Sequence, residues 1–319
     1  MGDETAPWDR YWRFDRIASC MDGCGKSNYD ERIAGPWRDF FAALAPTQVL
    51  DICTGNGAVA LIAAAAGMAV TGIDLADIDP ARFVSQLSTV LGTIRFIGRT
   101  NASKLPFADG EFGAVVSQYG IEYAPRPQAW QEAARVTAPG GQLRMVVHAA
   151  DGNIAAETRA ALEDADFLLD DAQLTERARQ CVQAVHLVET MRTTSAAVRA
   201  SGDEAYAAFQ SALNAVADRL PTAVDAHMLE NTGSVLADAF AKRRQVPLAV
   251  LVAKIDEIEL EIVSHRERQR ALVAASMGPE ELALAAGILS DSGMVDIVTR
   301  PLEARGRLLA HVIEARRPA

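Results

Sequence analysis

The chain has 319 residues, of which 50% are hydrophobic and 23% charged, and its formal net charge is −11 at pH 7. This composition is typical of a globular protein, and the length is sufficient for a core domain and a sizeable second unit. Proteins that hold a nucleic-acid backbone need a basic face, because neutralising phosphates supplies most of their affinity. We therefore expect no nucleic-acid partner.

The cysteines and the apolar runs indicate the compartment. Four cysteines in a chain of this length do not suggest a disulfide framework. Cys20 and Cys24 are four residues apart, but no second Cys or His pair follows to complete a zinc site, so we predict no metal. The longest apolar run, 58–70, is too short to cross a bilayer, and the N-terminus lacks the order of a signal peptide. A cytoplasmic protein without membrane contact is expected.

Short apolar runs alternate with helical patterns between residues 48 and 149. The predicted strands are 48–52, 69–73, 94–97, 114–119 and 143–147. The predicted helices between them are 58–67, 80–91 and 127–136. Strands that alternate with helices predict a parallel sheet with helices on both faces.

The pattern changes to helices alone from about residue 151 to 275. Within it, Leu251, Ile255 and Ile262 belong to a stripe at steps of three or four, which predicts a helix face that packs in a core. A helix over 279–290 and strands over 295–301 and 308–313 follow, and so short a connection predicts an antiparallel hairpin. The fold class is therefore α/β: a Rossmann-like doubly wound sheet, mostly parallel with a C-terminal antiparallel hairpin, plus an all-helical insertion after strand five.

Two polar segments follow the first two predicted strands. The first strand leads through Asp51 and Thr54 into Gly55 and Gly57, and glycines at a strand-to-helix turn let the backbone approach a ligand. Dinucleotide folds place a third glycine after such a pair, whereas here an acid precedes it, so a nicotinamide dehydrogenase is disfavoured. Asp74 ends the second strand, where nucleoside-binding α/β proteins place an acid for ribose hydroxyls.

Two further motifs complete a series of four. They are Asn101-Ala102-Ser103-Lys104-Leu105-Pro106-Phe107 and Arg135-Val136-Thr137-Ala138-Pro139-Gly140-Gly141. With these in order, the chain resembles the class I S-adenosylmethionine-dependent methyltransferases, especially the group that includes the quinone-biosynthesis C-methyltransferases. The resemblance covers 48–149 and the closing hairpin, 279–316.

The resemblance implies S-adenosyl-L-methionine as the cofactor and a set of residues that bind it. The implied cofactor-binding residues are Asp51, Thr54, Gly55, Gly57, Asp74, Leu75, Asn101, Ala102, Gln118 and Tyr11. Within the family pattern, the glycine loop holds the methionine end, Asp74 the ribose and Asn101 the adenine. Cys53 replaces a usual glycine and Asn101 a usual Asp, and neither change removes the site.

The resemblance also divides the chain. It implies a helical lid segment over 1–47, a cofactor-binding core over 48–150, a helical substrate cap over 151–275, and the last helix with the closing hairpin over 276–319. The lid segment is rich in aromatic residues and arginines. An amphipathic helix packed on the sheet is an equally good interpretation of that segment.

Two side chains near the ends of strands four and five are candidates for a general base, Glu122 and His148. In open α/β sheets, ligands bind outside the carboxyl ends of the strands, and both residue types serve in proton transfer. The alternatives are a hydrogen-bonded strand-end residue for His148 and a solvated loop acid for Glu122.

The function expected from these features is methyl transfer to a small molecule, with oxygen, nitrogen and carbon all open as the acceptor atom. One alternative is methylation of a peptide or protein side chain. Another is a catalytically silent cofactor-binding partner protein, which turnover of S-adenosylmethionine would distinguish. The apolar helix faces of the insertion also allow a homodimer.

Overall fold

The computed structural model describes residues 5–18, 28–191 and 195–319. Cys20, Cys24 and part of the expected lid segment lie outside the described residues. The chain divides into two compact units, Met1–Ala156 with Ala271–Ala319, and Glu157–Arg270. In the described ranges, every helix is too short or too polar to span a membrane.

The first unit is built on one seven-stranded sheet. Its strands are β1 (Gln48–Ile52), β2 (Ala69–Ile73), β3 (Arg95–Ile97), β4 (Phe112–Gln118), β5 (Thr137–His148), β6 (Val295–Ala304) and β7 (Arg307–Arg316). The spatial order is β3-β2-β1-β4-β5-β7-β6. Strands β1 to β5 pair in parallel, and among the described strands only β7 runs against its neighbours, β5 and β6. The predicted fold class is confirmed.

Helices cover the sheet and form the second unit. They are α1 (Ala6–Trp12), α2 (Glu31–Ala42), α3 (Ala58–Ala65), α4 (Pro80–Phe83), α5 (Ser88–Leu91), α6 (Gln128–Val136), α7 (Asn153–Asp166), α8 (Leu174–Met191), α9 (Ala196–Arg219), α10 (Ala226–Ala241), α11 (Leu248–Ala275) and α12 (Pro279–Asp291). Single turns of 3₁₀ helix occur at Ser85–Leu87, Ile121–Tyr123 and Leu220–Thr222, and a π-helical turn at Phe167–Asp171.

Two hydrophobic clusters lie on opposite faces of the sheet. Successive strand residues alternate between them, as pleating requires: Val49 joins the cluster that contains Trp37 of α2, and Leu50 joins the other. That second cluster holds Trp130 of α6 and Leu289 of α12. Because both faces are covered there, the central strands β1, β2 and β4 are mostly apolar, whereas the edge strand β6 is largely exposed.

The predicted helix over 80–91 is wrong as a single element. Val84 has φ −100° and ψ 83°, outside the helical region, and its side chain is buried in the core. The segment therefore breaks into α4, a 3₁₀ turn and α5. Strand β5 also begins earlier than predicted, at Thr137, with a register shift between Phe112 and Ala114 of its partner β4.

The second unit is all-helical and has its own core. Ile255 and Ile262 of α11 are buried in it, and Leu251 of the same helix is also buried, so the predicted packing stripe is confirmed. The buried carboxylate of Asp164 accepts a hydrogen bond from Arg219 Nε at 2.9 Å and two more from backbone N–H groups. These bonds offset the cost of burying its charge. We therefore assign Asp164 a structural role in this unit.

Candidate active site

The candidate site lies where the strand order reverses, between β1 and β4, the usual ligand position in open α/β sheets. The loop after β1 holds Cys53, Gly55 and Gly57 at φ values of 57°, 54° and 86°. The loop after β4 holds Tyr119 at φ 54°. A Cβ on Gly120 would lie 2.3 Å from that of Cys53, so a glycine is needed where the two loops meet. Cys53 and Tyr119 are thus left-handed without being glycines, and such residues concentrate at functional sites.

Asp51 occupies the end of β1 and is 2% exposed. Its Oδ2 accepts a hydrogen bond from Thr54 Oγ1 at 2.6 Å. Burial raises the pKa of Asp51 to about 7, although the Thr54 hydroxyl opposes the rise. The site therefore holds a carboxyl group that changes charge near neutral pH.

Asp74 connects the loops after β1 and β2. Its Oδ2 accepts a hydrogen bond from the Gly55 N–H and its Oδ1 one from the Ala76 N–H, each at 2.9 Å. Burial raises the pKa of Asp74 to about 6, and these backbone donors favour the charged form. Leu75, the next residue, is exposed.

Helix α1 lies on the glycine loop. A Cβ on Gly55 would come 2.4 Å from Cζ2 of Trp12, so the indole rests against the glycine. Asp9 fastens the helix at two points: its Oδ1 accepts from the Asp77 N–H at 2.8 Å, and its Oδ2 from Arg99 Nη2 at 2.6 Å. Asp77 and Arg99 follow β2 and β3, so α1 is tied to the carboxyl edge of the sheet.

A cavity opens at the ends of β1 and β4, and its walls are mainly aromatic and apolar. Its lining residues are Trp8, Trp12, Ile17, Tyr29, Asp51, Cys53, Thr54, Ala58, Val59, Gln118, Tyr119 and Tyr123. Three of the predicted cofactor residues are among them, Asp51, Thr54 and Gln118. Gly55 directly follows Thr54 of this lining, and its N–H donates a hydrogen bond to Asp74.

Other predicted cofactor residues lie outside this lining. Tyr11 packs edge-on against Trp12, with ring centroids 4.8 Å apart, and the Arg16 guanidinium lies 4.4 Å from its ring centroid. Asn101 is exposed and its Oδ1 accepts hydrogen bonds from the N–H and hydroxyl of Ser103. Ala102 is buried beside it.

Sequence reasoning missed one contact in the cavity wall. Trp37 Nε1 of α2 donates a hydrogen bond to Gln118 Oε1 at 2.6 Å, between two buried side chains. The two residues are 81 positions apart and Trp37 belongs to no motif, so nothing in the sequence pattern pairs them.

Glu122 and His148 form a buried pair. Glu122 Oε1 lies 2.7 Å from His148 Nδ1 and accepts a hydrogen bond from the His148 backbone N–H at 3.0 Å. Glu122 is 2% exposed, which excludes a solvated loop acid. Tyr119 stacks on the imidazole at 4.3 Å between centroids, and Tyr123 meets it edge-on at 6.0 Å. Both tyrosines line the cavity, so the pair lies directly behind its wall.

The two later motifs of the sequence form one network. Arg135 donates to the carbonyl oxygens of Leu105 and Phe107 and to the carboxylates of Asp109 and Glu132. The hydrogen bond from Arg135 to the Glu132 carboxylate lowers the pKa of Glu132. Arg135 therefore fixes the loop that follows Asn101, which explains why both motifs occur together.

Comparison with known sequences identifies the central segment. Residues 49–141 match the model of a methyltransferase domain. An uncharacterized protein of Mycobacterium bovis is 34% identical over 120 residues, which cover 37% of this chain and 43% of that protein. A ubiquinone/menaquinone biosynthesis C-methyltransferase of Methylobacterium nodulans is 36% identical over 104 residues, 31% of this chain and 40% of the relative. The chain thus spans less than half the length of these curated relatives.

One solved structure aligns with most of the chain. The 1,6-didemethyltoxoflavin-N1-methyltransferase of Burkholderia thailandensis aligns with 91% of this chain and 80% of its own, at 12% identity and a TM-score of 0.42.

Residues 49–141 are thus similar in sequence to a methyltransferase domain, and they carry the central strands of the sheet and the glycine loop with its two acids.

Proposed function

We propose that the chain is an enzyme that transfers a methyl group from S-adenosylmethionine to a small-molecule acceptor. The observation that carries the proposal is the aromatic cavity at the ends of β1 and β4, bordered by the loop that Asp74 holds through the Gly55 N–H. When bound, the cofactor supplies a methyl group on a sulfonium, which needs little further activation. The protein's task is therefore mainly to align the two reactants and exclude water.

The residues at the site fit this cofactor. Gly55 and Gly57 have left-handed backbone conformations, and a Cβ at either would clash with a ring, that of Trp12 at Gly55 and that of Phe96 at Gly57. The Asp74 carboxylate retains acceptor capacity beyond its two backbone bonds, which suits ribose hydroxyls. Aromatic faces such as those of Trp8 and Tyr123 attract a sulfonium.

Helix α1 covers this surface, because the Trp12 indole rests on Gly55. We infer that α1 shifts when the cofactor enters and then closes over it. The fastening by Asp9 consists of one ion pair and one backbone bond, contacts weak enough to break and reform.

The Glu122–His148 pair is the proposed base for an acceptor that must lose a proton. Glu122 Oε1, which also accepts the His148 backbone N–H, lies as an acceptor next to Nδ1, so the proton stays on that nitrogen and Nε2 is left as the basic atom. The carboxylate also stabilises the imidazolium that forms when His148 takes a proton. An amine acceptor would not need this help, whereas a hydroxyl or an acidic carbon would.

The names of two relatives, a ubiquinone/menaquinone biosynthesis C-methyltransferase and a demethylmenaquinone methyltransferase, support a ring compound as the first acceptor to test. The aromatic lining of the cavity suits a planar ring.

The test is to incubate the purified chain with trideuteromethyl-labelled cofactor, using a demethylated naphthoquinol or a small-molecule metabolite extract as acceptor. Mass spectrometry should detect labelled products, together with S-adenosylhomocysteine. Gly55→Val should lose this activity, since its side chain would clash with Trp12 and adopt an unfavourable φ. The exposed substitution Glu303→Gln should keep it. Labelling of proteins instead of small molecules would overturn the proposal, as would the absence of any labelled product.

A further inference from the structure

Gln118 is a buried side chain whose amide is oriented by its neighbour. It ends β4, is 7% exposed and lines the cavity. Its Oε1 accepts the Trp37 indole hydrogen bond at 2.6 Å. An indole N–H can only donate, so the oxygen of the amide must face Trp37 and the NH₂ group must face the other way.

The NH₂ group of Gln118 has no hydrogen-bond partner among the described residues. A buried amide N–H without a hydrogen bond is unfavourable, so such a group in a cavity wall indicates a ligand that supplies the missing acceptor. The ligand atom must be an oxygen or another acceptor, because Nε2 can only donate.

The neighbours of Gln118 in the cavity wall indicate which kind of ligand carries the accepting oxygen. Asp51, Cys53 and Thr54 of the glycine loop line the same cavity, and neither lysine nor arginine is among the lining residues described. A zwitterion suits such a wall, with its ammonium group near Asp51 and its carboxylate on a neutral donor. The methionine portion of S-adenosylmethionine is a zwitterion of this kind.

We propose that Gln118, held in place by Trp37, donates its amide N–H to the carboxylate of the cofactor's methionine portion. The proposal rests on the proposed function and adds the atom that recognises this carboxylate. Trp37 acts as a positioning residue, because it touches Gln118 and not the cofactor.

The test is calorimetry with two probes, S-adenosylhomocysteine and 5′-methylthioadenosine, which lacks the amino-acid group. Gln118→Glu keeps an oxygen for the Trp37 indole but replaces the donor by a negative charge. This variant should bind S-adenosylhomocysteine at least about tenfold more weakly, while its affinity for 5′-methylthioadenosine falls less than about threefold. Trp37→Phe should cause a smaller loss that is again confined to S-adenosylhomocysteine, with thermal unfolding measured to verify that the variant folds.

The matched control is Gln131→Glu, the same change at an exposed position of α6. It should leave both affinities unchanged. Equal affinity of wild type and Gln118→Glu for S-adenosylhomocysteine would overturn the role of Gln118, as would an equal loss for both probes. If the wild type binds neither probe, the proposed function itself fails, so the two failures are distinguishable.

Discussion

At the scale of single residues, the site combines carboxyl groups that burial makes hard to ionise. Asp51 has its pKa raised to about 7 and Asp74 to about 6, from ordinary values near 3.8, with burial as the main cause. A carboxyl with a raised pKa keeps its proton in the folded chain over a range where the unfolded chain has lost it. Its contribution to stability is therefore fully present below about pH 4 and is lost as the pH rises through the folded-state value.

The direction of this pH dependence gives a prediction for Asp51→Asn, which has no carboxyl group to titrate at this position. Between about pH 4.5 and 7.5, the free energy of unfolding should fall more steeply for the wild type than for the variant. Urea unfolding at several pH values measures both slopes. Parallel slopes for the two proteins would contradict a raised pKa at Asp51.

The buried pair behind the cavity wall gives a second prediction at this scale. Replacing His148 by Ala should reduce the single-turnover rate of methyl transfer about a hundredfold, the usual effect of removing a general base. Glu122→Gln should reduce this rate as well, because the imidazolium that forms when His148 takes the proton loses its neighbouring negative charge.

Both rates are measured with saturating cofactor and an acceptor that must lose a proton. Thermal unfolding of each variant separates a catalytic loss from a folding defect. Near-wild-type rates in both variants would leave alignment alone as the mechanism and remove the proposed base.

At the scale of elements, the regular parts of the sheet could be predicted from sequence. Strands β1 and β2 begin and end where their apolar runs do, because both faces of each strand are buried. The segment after Pro80 was mispredicted, because its break depends on Val84 being drawn into the core, a tertiary effect that propensity does not encode. The start of β5 was missed for a similar reason, since its first residue pairs with β4 across a register shift.

The candidate site likewise has residues whose positions could be predicted from sequence and contacts that could not. Residues tied to the ends of β1 and β2 could be predicted because the fold fixes the positions of strand ends, and Asp51 and Asp74 are examples. Contacts between distant elements could not, as the Trp37–Gln118 and Asp9–Arg99 bonds illustrate. Each depends on how a helix packs, which the local pattern leaves open.

Helix α1 gives the prediction at this scale. Asp9 is its main polar anchor, so Asp9→Ala should release the helix from the loops after β2 and β3. Amide hydrogen exchange over residues 5–13 should then become faster, since the helix is short and depends on tertiary contacts. Arg95→Ala, which removes an exposed arginine from neighbouring β3, is the control and should leave this exchange unchanged. Unaltered exchange in Asp9→Ala would show that other contacts hold the helix, such as the hydrogen bond from Asn56 Nδ2 to the Trp12 carbonyl oxygen.

At the scale of the whole molecule, one unit carries the sheet and the cavity, and the other is a separate helical body with its own core. The matched methyltransferase domain lies entirely within the first unit. All residues that we propose for cofactor binding come from that unit.

Cofactor binding at the ends of β1 and β2 can be measured by calorimetry with S-adenosylhomocysteine. The wild type and the exposed control Glu303→Gln should bind with the same affinity. Asp74→Ala should bind roughly tenfold to a thousandfold more weakly, because it removes a hydrogen-bonded carboxylate that holds the Gly55 N–H and that we propose as the acceptor for the ribose hydroxyls. Undiminished binding by a folded Asp74→Ala variant would contradict the assignment of this site.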